Sequence, residues 1–503
     1  MQLLDMPSEL LLLIGEELSA KDLTAFTKTS RAVHSLLTPQ LYNLGARPSE
    51  KGDFPTLYWA AQHGHETLVR GLLAKGASPN GPKYRCELFG CVGSHRSTAL
   101  HWATKSDNTR VIKTLLEHGG DVNAKDNHNA TPVHWACGNS GTEVLALLLQ
   151  EKPDLEAKDG DGDPPIAWAA EKGIPEVFEF MLDHGADIAA INNSRATLMH
   201  TVFLRADLYV STHAEIVRIM MDRGFGLIEQ RDDRGNMALH LAARCGSVEA
   251  VKVMLQYVDV DALGSDDQTA LYQASEVGAV KMVKYLLKAH ARVNLRNGSQ
   301  GGTALHAAAK GGHHDVMKVL IGAGADVEAV KSPKETPLHI AIVEGRSFKS
   351  VKLLLKSGAD ANAKQGQSGS PLHLAAAAEG GIVRLLLEHG AKVDARMANG
   401  STALMIAAER GCDDAVEVLL EYGADVRAKD RNGSKAWNRA HDEGNFRTKS
   451  ILEKMMEVWP VKKPGAGEDE EDVASDGGSP TPEWGLEKFF GDLTLEEIPP
   501  VEL

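Results

Sequence analysis

TALHWATKSDNTRVIKTLLEHGGDVNAKD, residues 98–126, and TPLHIAIVEGRSFKSVKLLLKSGADANAK, residues 336–364, are two versions of one phrase. Aligned on its first residue, the phrase recurs at positions 55, 98, 131, 164, 197, 237, 269, 303, 336, 370, 402 and 435. Nine of the eleven spacings lie within one residue of 33. A fixed period of this length marks stacked supersecondary units, none of which can bury its apolar face alone. Within each unit Thr or Ser followed by Pro or Ala opens a helix, because a hydroxyl caps free backbone N–H groups and Pro suits the first turn. Leu, His and two small residues follow, as in Leu305-His306-Ala307-Ala308. Gly311-Gly312 then turns the chain, and Val316, Val319 and Leu320 recur at helical spacing in a second helix. Gly-Ala-Asp stops that helix, with Gly supplying a left-handed C-terminal residue. The Asp-Val-Asn-Ala-Lys-Asp stretch predicts a short β-hairpin before the next Thr.

Working outward, the 503 residues carry 43% hydrophobic residues but 5% aromatics and 48 Gly. A core built from Ala, Leu and Val suits helices packed at close range. The net charge is −15, of which residues 461–503 carry −9, leaving −6 on the rest. This balance argues against a phosphate-binding surface, so no nucleic-acid partner is expected. Five cysteines spread over a long chain argue for a reducing compartment. The apolar run at residues 10–14 is flanked by Glu9, Glu16 and Glu17 and lacks the form of a signal peptide. No window approaches the roughly 20 apolar residues of a membrane span. The expectation is a cytoplasmic or nuclear protein, without membrane contact, monomeric outside its complexes.

The 33-residue period and the T-P-L-H signature resemble the ankyrin repeat over roughly residues 54–459. The implied fold class is all-α, an ankyrin-repeat solenoid of about 12 helix-turn-helix repeats with short β-hairpins. Three units depart from the pattern. The first, Pro55-Thr56-Leu57-Tyr58, is followed by an insertion of about ten residues; the fifth, from Thr197, carries about seven extra residues near Leu204 and His213; the twelfth, Lys435-Ala436-Trp437-Asn438, reads as a C-terminal cap.

Outside the period, residues 3–47 read as three short helices opened by Pro7, capped through Ser19 and Asp22, and closed before Pro39. Met6, Pro7, Glu9, Leu10, Ile14, Leu18, Asp22, Leu23, Phe26, Ser30, Arg31, Leu36 and Leu37 resemble the F-box pattern, with Val33 where that family usually has Trp. The other reading is a three-helix cap on the array. The resemblance, which is strongest to F-box/ankyrin-repeat proteins of filamentous fungi, implies a non-catalytic substrate-receptor subunit of a Skp–cullin–F-box ubiquitin ligase. Met6, Pro7, Leu10, Ile14, Leu18, Leu23, Phe26 and Leu36 would then dock the Skp-type adaptor, and the repeats would bind an unknown target protein. The competing class is an ankyrin scaffold with no ligase role. The expected domains are an F-box-like unit at 1–47, a linker at 48–54, the array at 55–459 and an acidic disordered tail at 460–503.

By the same resemblance, recognition uses hairpin tips and the inner helix row. The variable tip residues are Arg96, His128, Asp161, Arg195, Arg234, Asp267 and Lys334. His101, His134, His200, His240, His306, His339 and His373 share the fourth position of the signature, where the family's His bonds locally and tightens the turn. Units stacked ~10 Å apart cannot share an ion whose ligands lie about 2 Å away, so this column is not a metal site. Trp59, Trp102, Trp135 and Trp168 follow in the first four units, either packed between neighbouring repeats or forming an aromatic recognition strip. Cys86, Cys91 and His95 lack a fourth zinc ligand. The run Asp159-Gly160-Asp161-Gly162-Asp163 fails as a calcium loop, with Pro164 at its sixth position and Ala170 at its twelfth. No catalytic motif, metal site or cofactor is expected. In the tail, Ser479-Pro480 and Thr481-Pro482 could accept proline-directed phosphorylation. Trp484, Leu486, Phe489, Phe490 and Leu493 suggest a segment that folds onto a partner or back onto the array.

Overall fold

A computed structural model describes residues 55–81 and 97–458, apart from 75, 140, 205, 346, 365–368 and 378–379. Residues 1–47, with the eight expected adaptor-binding positions, and the acidic tail lie outside the described residues, as do Arg96, Cys86, Cys91 and His95. The described residues form twelve helix pairs, which fall into two compact units divided between Ser299 and Gln300. The first unit holds seven pairs, from Pro55–Gln62 with Glu66–Ala74 to Ala270–Glu276 with Val280–Lys288. The second holds five, from Ala304–Lys310 with His314–Gly322 to Ala436–Asp442 with Phe446–Val458.

The expected helix starts are where the structure puts them. Thr98, Thr131, Pro164, Thr197, Met237, Thr269, Thr303, Thr336, Ser370, Thr402 and Lys435 are each the residue immediately before a first helix. Five residues further on stand Ala103, Ala136, Ala169, Ala242, Ala274, Ala308, Ala341, Ala375, Ala407 and Ala440, with Val202 in the fifth repeat, all buried. This column lets the first helices of successive repeats approach closely and accounts for the low aromatic content. The second helices contribute the larger aliphatics, such as Val316, Met317 and Leu320 in the eighth repeat.

The expected β-hairpins are not formed. Among the described residues no strand occurs, only isolated bridges such as the antiparallel ones of Ile191 with Thr197, Leu263 with Thr269 and Lys331 with Glu335. A hairpin needs a run of paired backbone groups, whereas these loops close on a single backbone bond across the tip, such as Asp126 N–H to the Ala130 carbonyl (3.0 Å) and Lys331 N–H to the Glu335 carbonyl (2.9 Å). The extra residues of the fifth repeat do not loop out either: Ala206–Asp222 is one 17-residue helix. The last repeat ends the array by burying Thr448, Ile451, Leu452 and Met455 while Phe446 stays 75% exposed.

The buried histidines tie one repeat to the next. At each Thr-His or Ser-His pair the backbone N–H of the capping residue donates to imidazole Nδ1, at 3.0 Å in Thr98–His101 and 3.2 Å in Thr303–His306. The hydroxyl lies 2.8–2.9 Å from the same nitrogen, for example 2.9 Å for Thr303 and 2.8 Å for Thr336. With Nδ1 accepting, the proton sits on Nε2. Nε2–H then donates to a carbonyl of the following loop: Ala130 for His101, Asp163 for His134, Asn236 for His200, Ala262 for His240, Glu335 for His306, Ala363 for His339 and Ala395 for His373, all at 2.9–3.2 Å. The seventh repeat has Tyr272 in this place. There the Thr269 hydroxyl accepts the Tyr272 N–H, and the Thr269 N–H turns instead to Asn297 Oδ1 at 2.7 Å. In the twelfth repeat Asn438 Oδ1 substitutes for imidazole, accepting Lys435 N–H at 3.0 Å.

Burial disfavours the charged imidazolium at these positions and holds His134, His200, His240, His339 and His373 below the ordinary histidine range, with His306 at about 4. The unfolded chain takes up protons below about pH 6.5 while the folded chain does not. The stability these rings confer is therefore complete above pH 6.5 and is lost as the pH falls towards 4, by up to about 1.4 kcal/mol per pH unit per ring. Asp163, pushed up to about 6 by burial, acts in the opposite direction, as do Asp107, Glu156, Glu328 and Glu417, which burial also raises, while His213, lowered by burial, acts with the six rings. Urea unfolding is expected to show a nearly constant midpoint from pH 8 to 7 and a steep fall from 6.5 to 5. A midpoint that stays level down to pH 5 would show that these rings are not held neutral. In the same assay Leu305→Ala, at a fully buried site, should cost about 2–5 kcal/mol, whereas Leu204→Ala, at a 58% exposed one, should change stability by less than about 0.5 kcal/mol.

Candidate partner-binding surface

Five of the described loop tips are built around one acidic or amide residue five positions before the helix cap, Asp126, Asp159, Asn192, Asp232 and Asp430. Asp126 Oδ1 accepts the N–H groups of His128 (2.8 Å) and Ala130 (2.9 Å). Asp159 does the same for Asp161 and Asp163, Asn192 for Ser194 and Ala196, Asp232 for Arg234 and Asn236, and Asp430 for Asn432 and Ser434. Such side-chain-to-backbone bonds close a turn without any strand pairing. The second oxygen reaches the first helix of the same repeat. Asp126 Oδ2 accepts Trp135 Nε1–H at 3.0 Å, and Asp159 Oδ2 accepts Trp168 Nε1–H at 2.9 Å. In the last repeat Arg439 takes this place, donating to Asp430 Oδ2 (2.8 Å), Glu409 Oε2 (2.6 Å) and Ser401 Oγ (2.7 Å). The Asp159 carboxylate is thus occupied by N–H donors, and among the described residues no His, Cys, Asp and Glu cluster could hold a metal ion.

Successive tips are joined edge to edge through the backbone. In the first unit Gly160 N–H donates to the His128 carbonyl (2.6 Å), Asn193 to Asp161 (3.1 Å), Asp233 to Ser194 (2.9 Å) and Gly298 to Asp267 (3.4 Å). His128, Asp161, Arg195, Arg234 and Asp267 therefore stand on five successive tips, all exposed. Lys334 occupies a tip of the second unit, where Ser332 N–H donates to the Gln300 carbonyl at 2.8 Å.

These residues occupy two kinds of position. His128, Asp161 and Arg234 donate their N–H to the tip carboxylate and keep ordinary backbone angles. The position after them is left-handed: Asn129 (φ 57°) holds it after His128, and glycine supplies it at Gly162 and Gly235, as at Gly400 and Gly433 of the second unit. Arg195 (φ 56°) and Lys334 (φ 83°) hold charged side chains in that same conformation, as does Asp267 (φ 53°) in the seventh tip. For a residue with a Cβ this conformation costs about 1–2 kcal/mol.

The tryptophan column packs between repeats. Trp102 is buried, and its ring centre lies 5.7 Å from that of Trp135 in an edge-to-face arrangement. His101 meets Trp135 at 5.5 Å and His134 meets Trp168 at 5.6 Å in the same way. Lys105 Nζ lies 5.2 Å from the centre of Trp102 and 5.6 Å from that of Trp135. The side chain of Trp59 lies outside the described residues.

A second row of links escaped the reading of the sequence. At the base of seven loops a side-chain oxygen accepts the N–H that opens the next loop: Asn80 from Asp121, Asn123 from Asp154, Glu156 from Asp187 and Asp261 from Arg292 in the first unit. Glu328 from Asp360, Asn362 from Lys392 and Asp394 from Asp425 continue it in the second. The signal was a column of Asn, Asp and Glu two residues after the loop-opening Asp, which differ in type but share an acceptor oxygen.

A family model for ankyrin repeats matches residues 23–192 and 208–430 in overlapping stretches. A 71-residue stretch is 44% identical to "Palmitoyltransferase ZDHHC17" of Rattus norvegicus, covering 14% of this chain and 10% of that protein, and the Mus musculus protein matches equally. A 110-residue stretch is 33% identical to "Transient receptor potential cation channel subfamily A member 1 homolog" of Caenorhabditis elegans, covering 22% of this chain and 9% of that protein. The chain spans about a tenth of the length of these relatives. No helix among the described residues is long and apolar enough to cross a membrane. With the matched stretches covering well over half its length and twelve helix pairs following the 33-residue period, the chain belongs to the ankyrin-repeat family.

Proposed function

We propose that this chain is a non-catalytic receptor that holds a target protein on its row of loop tips and, through residues 1–47, delivers it to a Skp-type adaptor and cullin–RING ubiquitin ligase. The observation that carries the tip assignment is Arg195 in the first unit and Lys334 in the second, each a long charged side chain at the left-handed position that glycine fills at Gly162, Gly235, Gly400 and Gly433. A side chain retained against a local backbone cost serves something other than the fold. Mixed charges along the row, His128, Asp161, Arg195 and Arg234, suit a protein surface of mixed polarity rather than a polyanion. The adaptor link is supported by the residue pattern from Met6 to Leu37. The second reading, a scaffold with no ligase role, is favoured by the start of the ankyrin family match at residue 23, inside the segment that resembles an F-box.

Two measurements separate these readings. Arg195→Gly with Lys334→Gly should raise stability by up to about 1–2 kcal/mol per site while lowering recovery of the chain's partners at least fivefold. Unchanged recovery would remove the tips from the binding surface. Adaptor and cullin should co-purify with the full chain and not with a chain beginning at Glu50. Equal recovery from both, or none from either, would leave the scaffold reading.

A further inference from the structure

The ninth repeat presents a surface that the fold does not use. Its second helix, Phe348–Lys356, buries Val351, Leu354 and Leu355 and turns Lys349, Lys352 and Lys356 outward, three exposed cations on one stripe. Phe348, at the start of the same helix, is 43% exposed, with Lys352 Nζ 5.9 Å from its ring centre. Among the described residues none of the three lysines is in an ion pair. The helices packed on either side bring little neutralising charge. His314–Gly322 carries Asp315 and Lys318; Gly380–Glu388 carries Glu388 and an Arg384 already bound to Glu421 at 2.6 Å.

We propose that this face is the docking site for the chain's own C-terminal segment, residues 483–498. That segment, EWGLEKFFGDLTLEEI, alternates apolar Trp484, Leu486, Phe489, Phe490 and Leu493 with Glu483, Glu487, Asp492, Glu496 and Glu497. It offers what the surface lacks, carboxylates for three unpaired lysines and apolar side chains for an exposed phenylalanine. The charge of −9 over residues 461–503 adds a field that draws it to a basic stripe. Reach is ample. Residues 459–482 can extend ~80 Å, and three repeats stacked ~10 Å apart separate the last repeat from the ninth. The helix Val280–Lys288 has the same lysine spacing, Lys281, Lys284 and Lys288, but opens with a half-buried Val280 in place of the exposed aromatic ring. The proposal therefore assigns the segment to the ninth repeat, with the seventh as the built-in control.

The test is zero-length carbodiimide cross-linking of the full chain at about 50 mM salt, as an equal mixture of natural-abundance and 15N-labelled protein. The expected result is links within single copies from Lys349, Lys352 or Lys356 to the five acidic residues of the segment. They should fall at least fivefold in Phe348→Ala and in 0.5 M salt. The Phe348→Ala change lies on the surface, so the folded state survives it, and the circular dichroism of the variant checks this. Links spread over lysines in proportion to their exposure, links chiefly to Lys281, Lys284 and Lys288, links between isotopically different copies, or no response to Phe348→Ala would each overturn the proposal.

Discussion

One imidazole does two jobs at once, and much of the array depends on it. Nδ1 accepts the N–H that a helix start would otherwise leave open, and Nε2–H reaches the carbonyl of the following loop. Two backbone groups, in different repeats, are satisfied by a single buried side chain. Buried backbone groups left unpaired cost about 1–3 kcal/mol each, so the ring fixes helix start and repeat spacing together. It can do so only while neutral, because a protonated Nδ1 cannot accept. The low pKa imposed by burial is therefore a condition of the geometry.

Around this column the structure separates what must repeat from what may vary. The alanine column sets the distance between first helices, and the base-of-loop oxygens hold each loop to the next. The tip carboxylates bond the backbone N–H groups of His128, Asp161 and Arg234, so the turn does not depend on which side chain stands there. A recognition surface can change there without touching the core. The surface proposed for the C-terminal segment follows a similar logic, since the lysines of Phe348–Lys356 face outward from a helix whose other side is fully committed.

Much of this was legible in the residues. The period located the helix starts, because Thr, Pro and small residues are required at the same point of every unit. Low aromatic content followed from the alanine column. The loops misled because Asp-Val-Asn-Ala-Lys-Asp has the alternation of a strand, while each tip closes on one backbone bond, reinforced in five tips by an Asp126-type side chain, with no run of pairing behind it. The row at Asn123, Glu156 and Glu328 was hidden because three residue types perform one acceptor role. Of the candidate site, the tip positions were readable as turns. That Arg195 and Lys334 are left-handed was not, since only the comparison with Gly162 and Gly235 at equivalent places reveals it.

The central claim is best tested on the imidazoles themselves. Long-range 1H–15N correlation on histidine-labelled protein reports tautomer and protonation ring by ring. The account predicts that the seven histidines of the column are Nε2–H tautomers and that His306 remains neutral at pH 5. Rings carrying the proton on Nδ1, or titrating near 6.5 as free histidine does, would contradict it.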